Sequence, residues 1–322
     1  MKRALITGIT GQDGSYLAEF LLKKGYKVFG LARFSRSSSF ENIKDIAKDI
    51  TLFDADLLEI TGLNRLVEET QPDEVYNLGS ISFVPTSWHT PVLIAEVNAV
   101  SVARLLEVLR NVNPKIKFYQ ASSSEMFGHA VQTPQNENTP LCPISPYAVA
   151  KVYGHHIAQT YREAYGIGAC CGMLFNHESP RRGLQFVTRK VTHTVAKIHL
   201  GLANEIQLGN LEAKRDWGYA PDYVEAMWMM LQQPKADDYV IATGKTHSIK
   251  DLLKCAFGFI KRPWQEYVRV DPNLLRPTDL EALVGDATKA KQKLNWAPKK
   301  TFEEMICEMI EADLKKLGNS GT

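Results

Sequence analysis

The stretch "ALITGITGQDGSYLAEFLLKKG", Ala4 to Gly25, decides the fold. Ala4–Gly8 is a short apolar run that reads as a buried strand. From Ser15 apolar residues recur at helical spacing until Gly25 stops the pattern. Gly8, Gly11 and Gly14 fall between the two, with Thr10, Gln12 and Asp13 in the same turn. Glycines there allow a tight bend and let backbone N–H groups and the helix N-terminus approach a pyrophosphate. A glycine turn that binds nothing is the plain alternative, so the reading depends on the rest of the chain.

Beyond Gly25 the same unit repeats. Strand patterns recur at Lys27–Arg33, Ile50–Asp56, Asp73–Gly79, Ile116–Ser123 and Gly168–Phe175. Helical patterns separate them at "EITGLNRLVEETQ", Leu93–Val112 and Tyr147–Tyr165. This alternation specifies an α/β fold, a Rossmann-type doubly wound parallel sheet with ligands at the carboxyl ends of its strands. After Asn176 the order loosens into helical patterns at 186–201, 222–232, 249–259 and 302–317, with short strands between them. A Rossmann domain over residues 1–175 and a smaller C-terminal α+β domain over 176–322 are expected. Segments such as 215–245, which include "DYVIATG", return to the first.

Of the 322 residues, 44% are hydrophobic and 23% charged, with a net charge of +2 and both signs interspersed. No polycationic face for nucleic acid is expected, and no apolar run reaches membrane-spanning length. The five cysteines form no CxxC pair, which argues against zinc and a disulfide framework. "MKRALITG" enters a strand pattern directly rather than a signal peptide, so a cytoplasmic location is expected.

The end of the second strand selects the dinucleotide. An acidic residue there suits the ribose hydroxyls of NAD, whereas arginine suits the 2′-phosphate of NADP. "LARFSRSSS" offers Arg33, Ser35 and Arg36 and no acid, so NADP is expected. Asp56 and Leu57 after the third strand suit the adenine ring, with Asp56 as a helix cap the alternative.

Two further motifs carry chemistry. "SPYAVAKVYG" places Tyr147 and Lys151 four apart on one helix face. A lysine ammonium beside a phenol stabilises phenolate, making the tyrosine a usable base. "YQASSSEMFGH" ends the fifth strand with Ser123 and, two residues on, Glu125. On an extended strand end both side chains point to the same side. A plain hydride-transfer site needs no second acid/base, so Glu125 implies a further proton-transfer step.

These motifs resemble the extended short-chain dehydrogenase/reductases that modify nucleotide sugars. "LFNHESPRRGLQFVTRK", "LGNLEAKRDWGYAPDYVEAMWMMLQ" and "GDATKAKQKLNW" narrow the resemblance to the GDP-mannose 4,6-dehydratase family, over nearly the whole chain. The resemblance implies catalytic roles for Ser123, Glu125, Tyr147 and Lys151. It implies NADP contacts from Leu78, Gly79, Ser80, Ser82, Lys151, His177 and Arg182. It implies substrate contacts from Ser82, Ser123, Glu125, Tyr147, Asn176, Val187, Lys190, Gly209, Arg215, Arg276 and Asp279. No metal is implied; the substrate is a GDP-sugar, and the assembly a homodimer or homotetramer. Ser123 stands where that family usually has threonine, Phe127 where it often has tyrosine, and Cys142 and Ile144 where Tyr and Arg are common. Another GDP-sugar, such as a GDP-manno-heptose, therefore stays open beside GDP-mannose, as does a 4-epimerase or reductase. His155–His156 read as a surface or packing pair, and the "EAMWMMLQ" helix and Cys170–Cys171 as packing elements.

Overall fold

A computed structural model describes residues 1–34, 39–274 and 282–319. The opening stretch forms strand β1 (Arg3–Thr7) and helix α1 (Gln12–Lys23), followed by β2 (Lys27–Ala32) and β3 (Ile50–Asp54). Helix α2 (Ile60–Thr70) begins where the Glu59 carboxylate accepts the N–H groups of Thr61 and Gly62. It ends at Gln71 in the left-handed conformation and leads to β4 (Glu74–Asn77). The short α3 (Thr86–His89) and α4 (Pro91–Ala95) precede α5 (Ser101–Val112), β5 (Lys117–Ser123), α6 (Pro146–Tyr165) and β6 (Ala169–Leu174).

The expected single helix over 93–112 is interrupted, because Glu96–Val100 forms a π-helical turn between α4 and α5. Asn98 in that turn accepts from Ser80 Oγ and Ile81 N and donates to Ile81 O, all within 3.0 Å. The widened turn thus turns an amide toward the loop after β4, a placement common near functional sites. Periodicity alone could not show this.

The second half contributes β7 (Asn176–Glu178), α7 (Val187–His199), β8 (Ile206–Leu208), β9 (Lys214–Arg215), β10 (Trp217–Tyr219) and α8 (Ala220–Gln232). Then come β11 (Asp238–Ile241), β12 (His247–Ser248), α9 (Ile249–Phe259), β13 (Val268–Val270), β14 (Ala282–Leu283), α10 (Thr288–Leu294) and α11 (Phe302–Asn319). The main sheet has seven strands in the order β11-β6-β5-β4-β1-β2-β3, with parallel pairing throughout. Strand β11 is the "DYVIATG" segment, aligned so that Asp238 faces Cys171 and Ile241 faces Leu174. Small sheets pair β10 with β7, β12 and β14 with β9, and β13 with β8.

The alternation of side chains along β1 explains why the sheet is covered on both faces. Ala4 and Ile6 join one core with Leu17, Leu21, Met227 and Met230, whereas Leu5 joins the other with Val75, Leu105 and Phe118. Burying each such Leu or Ile contributes roughly 1.5–3 kcal/mol. A third core joins α7, α9 and α11 through Val195, Leu253 and Met309. No helix among the described residues is long and apolar enough to cross a membrane.

Candidate active site

One cavity of about 980 Å³ opens at the carboxyl ends of the central strands. The turn from β1 to α1 supplies its first wall through Gly8, Thr10, Gly11, Gln12, Asp13 and Gly14. The bend depends on bare backbone. A Cβ at Gly14 would lie 2.3 Å from Gly8 O, and Gly8 itself has φ +69° with Gly79 N only 2.9 Å from where its Cβ would be. Arg33, Asp56, Leu57, Leu78, Gly79, Ser80 and Ser82 continue the wall after β2, β3 and β4. Asp56 serves as a local cap, accepting Leu58 N–H at 3.0 Å, and also lies 3.7 Å from the Arg33 guanidinium. Ser35, Arg36, Arg276 and Asp279 lie outside the described residues.

The opposite wall holds the chemistry. Helix α6 starts under a Ser145 cap, whose Oγ accepts Ala148 N–H, with Pro146 in the first turn. That start presents Tyr147, and one turn later Lys151, to the cavity. The Lys151 ammonium lies 5.7 Å from the centre of the tyrosine ring and donates to Ala121 O at 2.9 Å. Ser123 ends β5, and the chain then turns immediately into a 3-10 segment, Ser124–Phe127. Glu125 therefore does not stand on an extended strand, as alternation suggested. It stands on a tight turn capped by Ser123, whose Oγ accepts Glu125 N–H at 3.2 Å. Both side chains still line the cavity.

The electrostatics also depart from the simple tyrosine–lysine expectation. Burial pushes the Tyr147 phenol up to about 12, opposed by a hydrogen bond with Ser123 and by Arg182, while Glu125 pushes it further upward. Burial likewise brings the Lys151 ammonium down to about 8, with the Asp13 charge opposing. Desolvation outweighs the pairing that four-residue spacing implied.

Asn176, His177 and Arg182 line the cavity from β7 and the loop beyond it; Val187, Lys190, Gly209 and Arg215 complete the wall. Lys190 Nζ donates to Gln207 O at 2.6 Å, and Arg215 Nη1 to Lys214 O at 2.7 Å. Arg182 Nε is buried without a hydrogen-bond partner, although Glu178 Oε2 is 3.2 Å away, and its guanidinium lies 3.6 Å from the Phe186 ring centre. The bare-backbone turn at Gly8, Gly11 and Gly14 ahead of α1, with Arg33 and Arg182 lining the same cavity, fits an anionic dinucleotide.

Two features of the site had no sequence signal. Phe83 and Phe186 meet edge to face across the cavity at 5.5 Å from loops of no regular period. Asp216, between the cavity residues Arg215 and Trp217, is fully buried. Its carboxylate accepts Thr243 N and Oγ1, Gly244 N and Gly285 N at 2.6–3.3 Å. His155 and the Cys170–Cys171 pair are buried packing groups, and burial lowers His155 to about 4 beside the Ser122 hydroxyl.

The family model described as GDP-mannose 4,6 dehydratase matches residues 5–309. The chain belongs to the GDP-mannose 4,6-dehydratase family. GDP-mannose 4,6 dehydratase 1 of Arabidopsis thaliana is 48% identical, with 98% of this chain and 90% of the relative covered. The human GDP-mannose 4,6 dehydratase is 46% identical, with 97% and 91% covered. Among solved structures, UDP-glucose 4-epimerase from Thermotoga maritima with UDP-glucose superposes with a TM-score of 0.89 at 25% identity, covering 98% and 99% of the two chains. The dTDP-glucose 4,6-dehydratase of Bacillus anthracis in complex with NAD gives 0.86 at 21%, covering 99% and 98%, and at that identity speaks for the fold alone. The epimerase and dehydratase neighbours share this scaffold, so the fold by itself does not distinguish their reactions.

Proposed function

We propose that the chain is a hydro-lyase that converts GDP-D-mannose to GDP-4-keto-6-deoxy-D-mannose and water, with NADP as cofactor. The observation that carries this reading is Glu125 on the same cavity wall as Ser123, Tyr147 and Lys151. An epimerase or reductase has no use for a second carboxylate acid/base there. Full-length relatives named GDP-mannose 4,6-dehydratase support the substrate.

The roles are those the family resemblance implies for these positions. Ser123 holds the sugar O4 through its hydroxyl, and Tyr147 receives the O4 proton. Lys151 supplies the positive charge beside the phenol. When bound, the nicotinamide would supply the hydride acceptor for C4 and donor for C6, and its oxidised form would draw Tyr147 down from about 12. A ketone at C4 makes C5–H acidic, because the conjugate base is an enolate. Glu125 takes that proton and, as the carboxylic acid, protonates O6 as it departs as water; a proton from solvent then returns to C5 to complete the 6-deoxy product. Positioned acid/base groups of this kind contribute ~10²–10⁴-fold each.

The glycine turn, Arg33, Asp56, Leu57, the Leu78–Ser82 loop, Lys151, His177 and Arg182 would hold the cofactor. Arg33 in place of an acid supports NADP over NAD. Asn176, Val187, Lys190, Gly209 and Arg215 would hold the GDP-sugar, arginine being suited to bidentate phosphate contacts. In this reading residues 1–175 with β11 bind the dinucleotide, and 176–322 mainly bind the nucleotide sugar. A cytoplasmic homodimer or homotetramer belongs to the same proposal, supported by exposed Val92, Val149 and Tyr153 on the neighbouring helices α4 and α6.

Incubation with GDP-mannose and NADP in D₂O, with NMR of the product, tests the reaction. Deuterium at C5 and a new C6 methyl group are expected. A C4 epimer, or a ketone that keeps O6, would overturn the assignment.

A further inference from the structure

His177 and Asp13 both line the cavity, and their polar atoms are turned toward each other. His177 Nε2 lies 2.8 Å from Asp13 Oδ2, and Nδ1 lies 2.7 Å from Phe175 O. A backbone carbonyl has no proton to give, and neither has a carboxylate. A neutral imidazole carries one N–H and one lone pair, so either tautomer would set a lone pair against an oxygen at hydrogen-bond distance. With Asp13 ionised, only the doubly protonated ring satisfies both partners. The Asp13 oxygens are likewise arranged for charge, since Oδ1 accepts from Gln12 Nε2 at 2.9 Å. Gln12 Nε2 also donates to His177 O at 3.1 Å, and Ser179 Oγ donates to Gln12 Oε1 at 2.8 Å.

We propose that Asp13 holds His177 as an imidazolium, and that this buried ion pair is a positioning device that fastens the glycine turn at the start of α1 to β7. The inference rests on the proposed cofactor only for its consequence, dinucleotide affinity. Asp13 lies in the first turn of α1, beside the glycine turn, while His177 lies on β7 next to Asn176, which lines the same cavity. The clip therefore joins the elements that carry two parts of the cavity lining, α1 and β7. Breaking it loosens the cradle, which Gln12 still ties to His177 O and Ser179 Oγ, without removing any backbone donor.

The surroundings agree with this charge assignment. Tyr223 of α8 stacks on the imidazole at 4.6 Å between centroids and 21° between planes, offering a π-face to a cation. Burial holds the Tyr223 phenol well above its ordinary range, so that ring is neutral. Arg182, in the loop after β7, opposes the charge on His177, and Lys151 of α6 responds to Asp13. Burial also opposes the charge, yet Asp13 prevails. His177 is raised above the ordinary histidine value and Asp13 is lowered below the ordinary carboxylate value, even though burial pushes the other way in each case. The pair is thus intact between the lowered carboxylate and the raised imidazole, and it is lost as pH rises through the latter.

The test combines histidine-¹⁵N NMR with calorimetry on the full chain. In the wild-type protein, the ring resonance that disappears in His177→Asn is expected to be doubly protonated at pH 7.5. In Asp13→Asn the same ring becomes neutral at that pH. NADP affinity falls about tenfold, and affinity for GDP stays within twofold. A neutral His177 in the wild type at pH 7.5 would overturn the proposal. So would wild-type NADP affinity in Asp13→Asn, or an equal loss of GDP affinity. If Asp13→Asn does not fold, the wild-type titration decides alone. If the wild type binds no NADP, the cofactor reading fails while the NMR still judges the ion pair.

Discussion

Ser123 Oγ accepts the backbone N–H of Glu125 at 3.2 Å, and the same hydroxyl works against burial to lower the Tyr147 phenol, so one group influences both acid/bases. The turn that carries Glu125 is capped by the residue assigned to the sugar O4. Ser123→Ala removes the cap, at a cost of ~1 kcal/mol, and removes the hydroxyl that lowers the Tyr147 phenol. Ser123→Thr keeps the hydroxyl. Turnover is expected to fall at least tenfold in the alanine variant and to stay within a few-fold in the threonine variant, as steady-state kinetics with GDP-mannose would show.

Glu125→Gln separates dehydration from binding. It keeps the size of the side chain and removes its proton chemistry, so dehydration is expected to drop ~10²–10⁴-fold with NADP affinity unchanged. Wild-type turnover in this variant would remove Glu125 from the mechanism.

Lys151 is held charged in a place that disfavours charge. Its folded value of about 8 lies below the ordinary 10.5, so near pH 7 its burial costs stability. At ~1.4 kcal/mol per unit the cost is on the order of 3 kcal/mol. Lys151→Met is therefore expected to be more stable than the wild type to urea at pH 7 and to be inactive. The unfolded chain binds the extra proton between about pH 8 and 10.5, so wild-type stability rises across that window and the gap to Lys151→Met closes. A gap independent of pH would contradict the assignment.

Arg162 donates two hydrogen bonds to Asp238, at 2.8 and 2.7 Å, and Cys171 N–H adds a third at 3.0 Å. The pair locks β11 onto β6 and α6. Removing one partner of a buried pair costs ~3–5 kcal/mol, so Asp238→Ala should lower the urea midpoint accordingly. Asp238 is held at about 2, with burial raising it and the Arg162 hydrogen bonds more than offsetting that. Its contribution is present above the unfolded value near 3.8 and is lost as pH falls toward 2.

Gly14→Ala would set a methyl group 2.3 Å from Gly8 O and 2.6 Å from Ile9 Cα, both backbone atoms that cannot swing away. Overpacking of this kind costs ~1–3 kcal/mol. Weaker NADP binding by calorimetry is expected, with GDP binding retained.

The strands of the main sheet, the glycine turn and the Tyr147–Lys151 spacing were legible in the residues themselves. Each depends on local periodicity, a backbone requirement or a separation within one helix. The seventh strand, Asp238–Ile241, was readable as a strand and as a candidate to rejoin the main sheet; its place beside β6 came from the fold. Four things were decided by the tertiary structure: the capped turn under Glu125, the π turn that aims Asn98, the aromatic contact of Phe83 with Phe186, and the pairing of Asp13 with His177. The last three rest on groups far apart in the sequence, and the turn under Glu125, though local, depends on a backbone bend that strand alternation does not reveal. For the same reason the Tyr147 phenol is driven upward rather than down: spacing names its neighbour, but only packing determines how much water is lost.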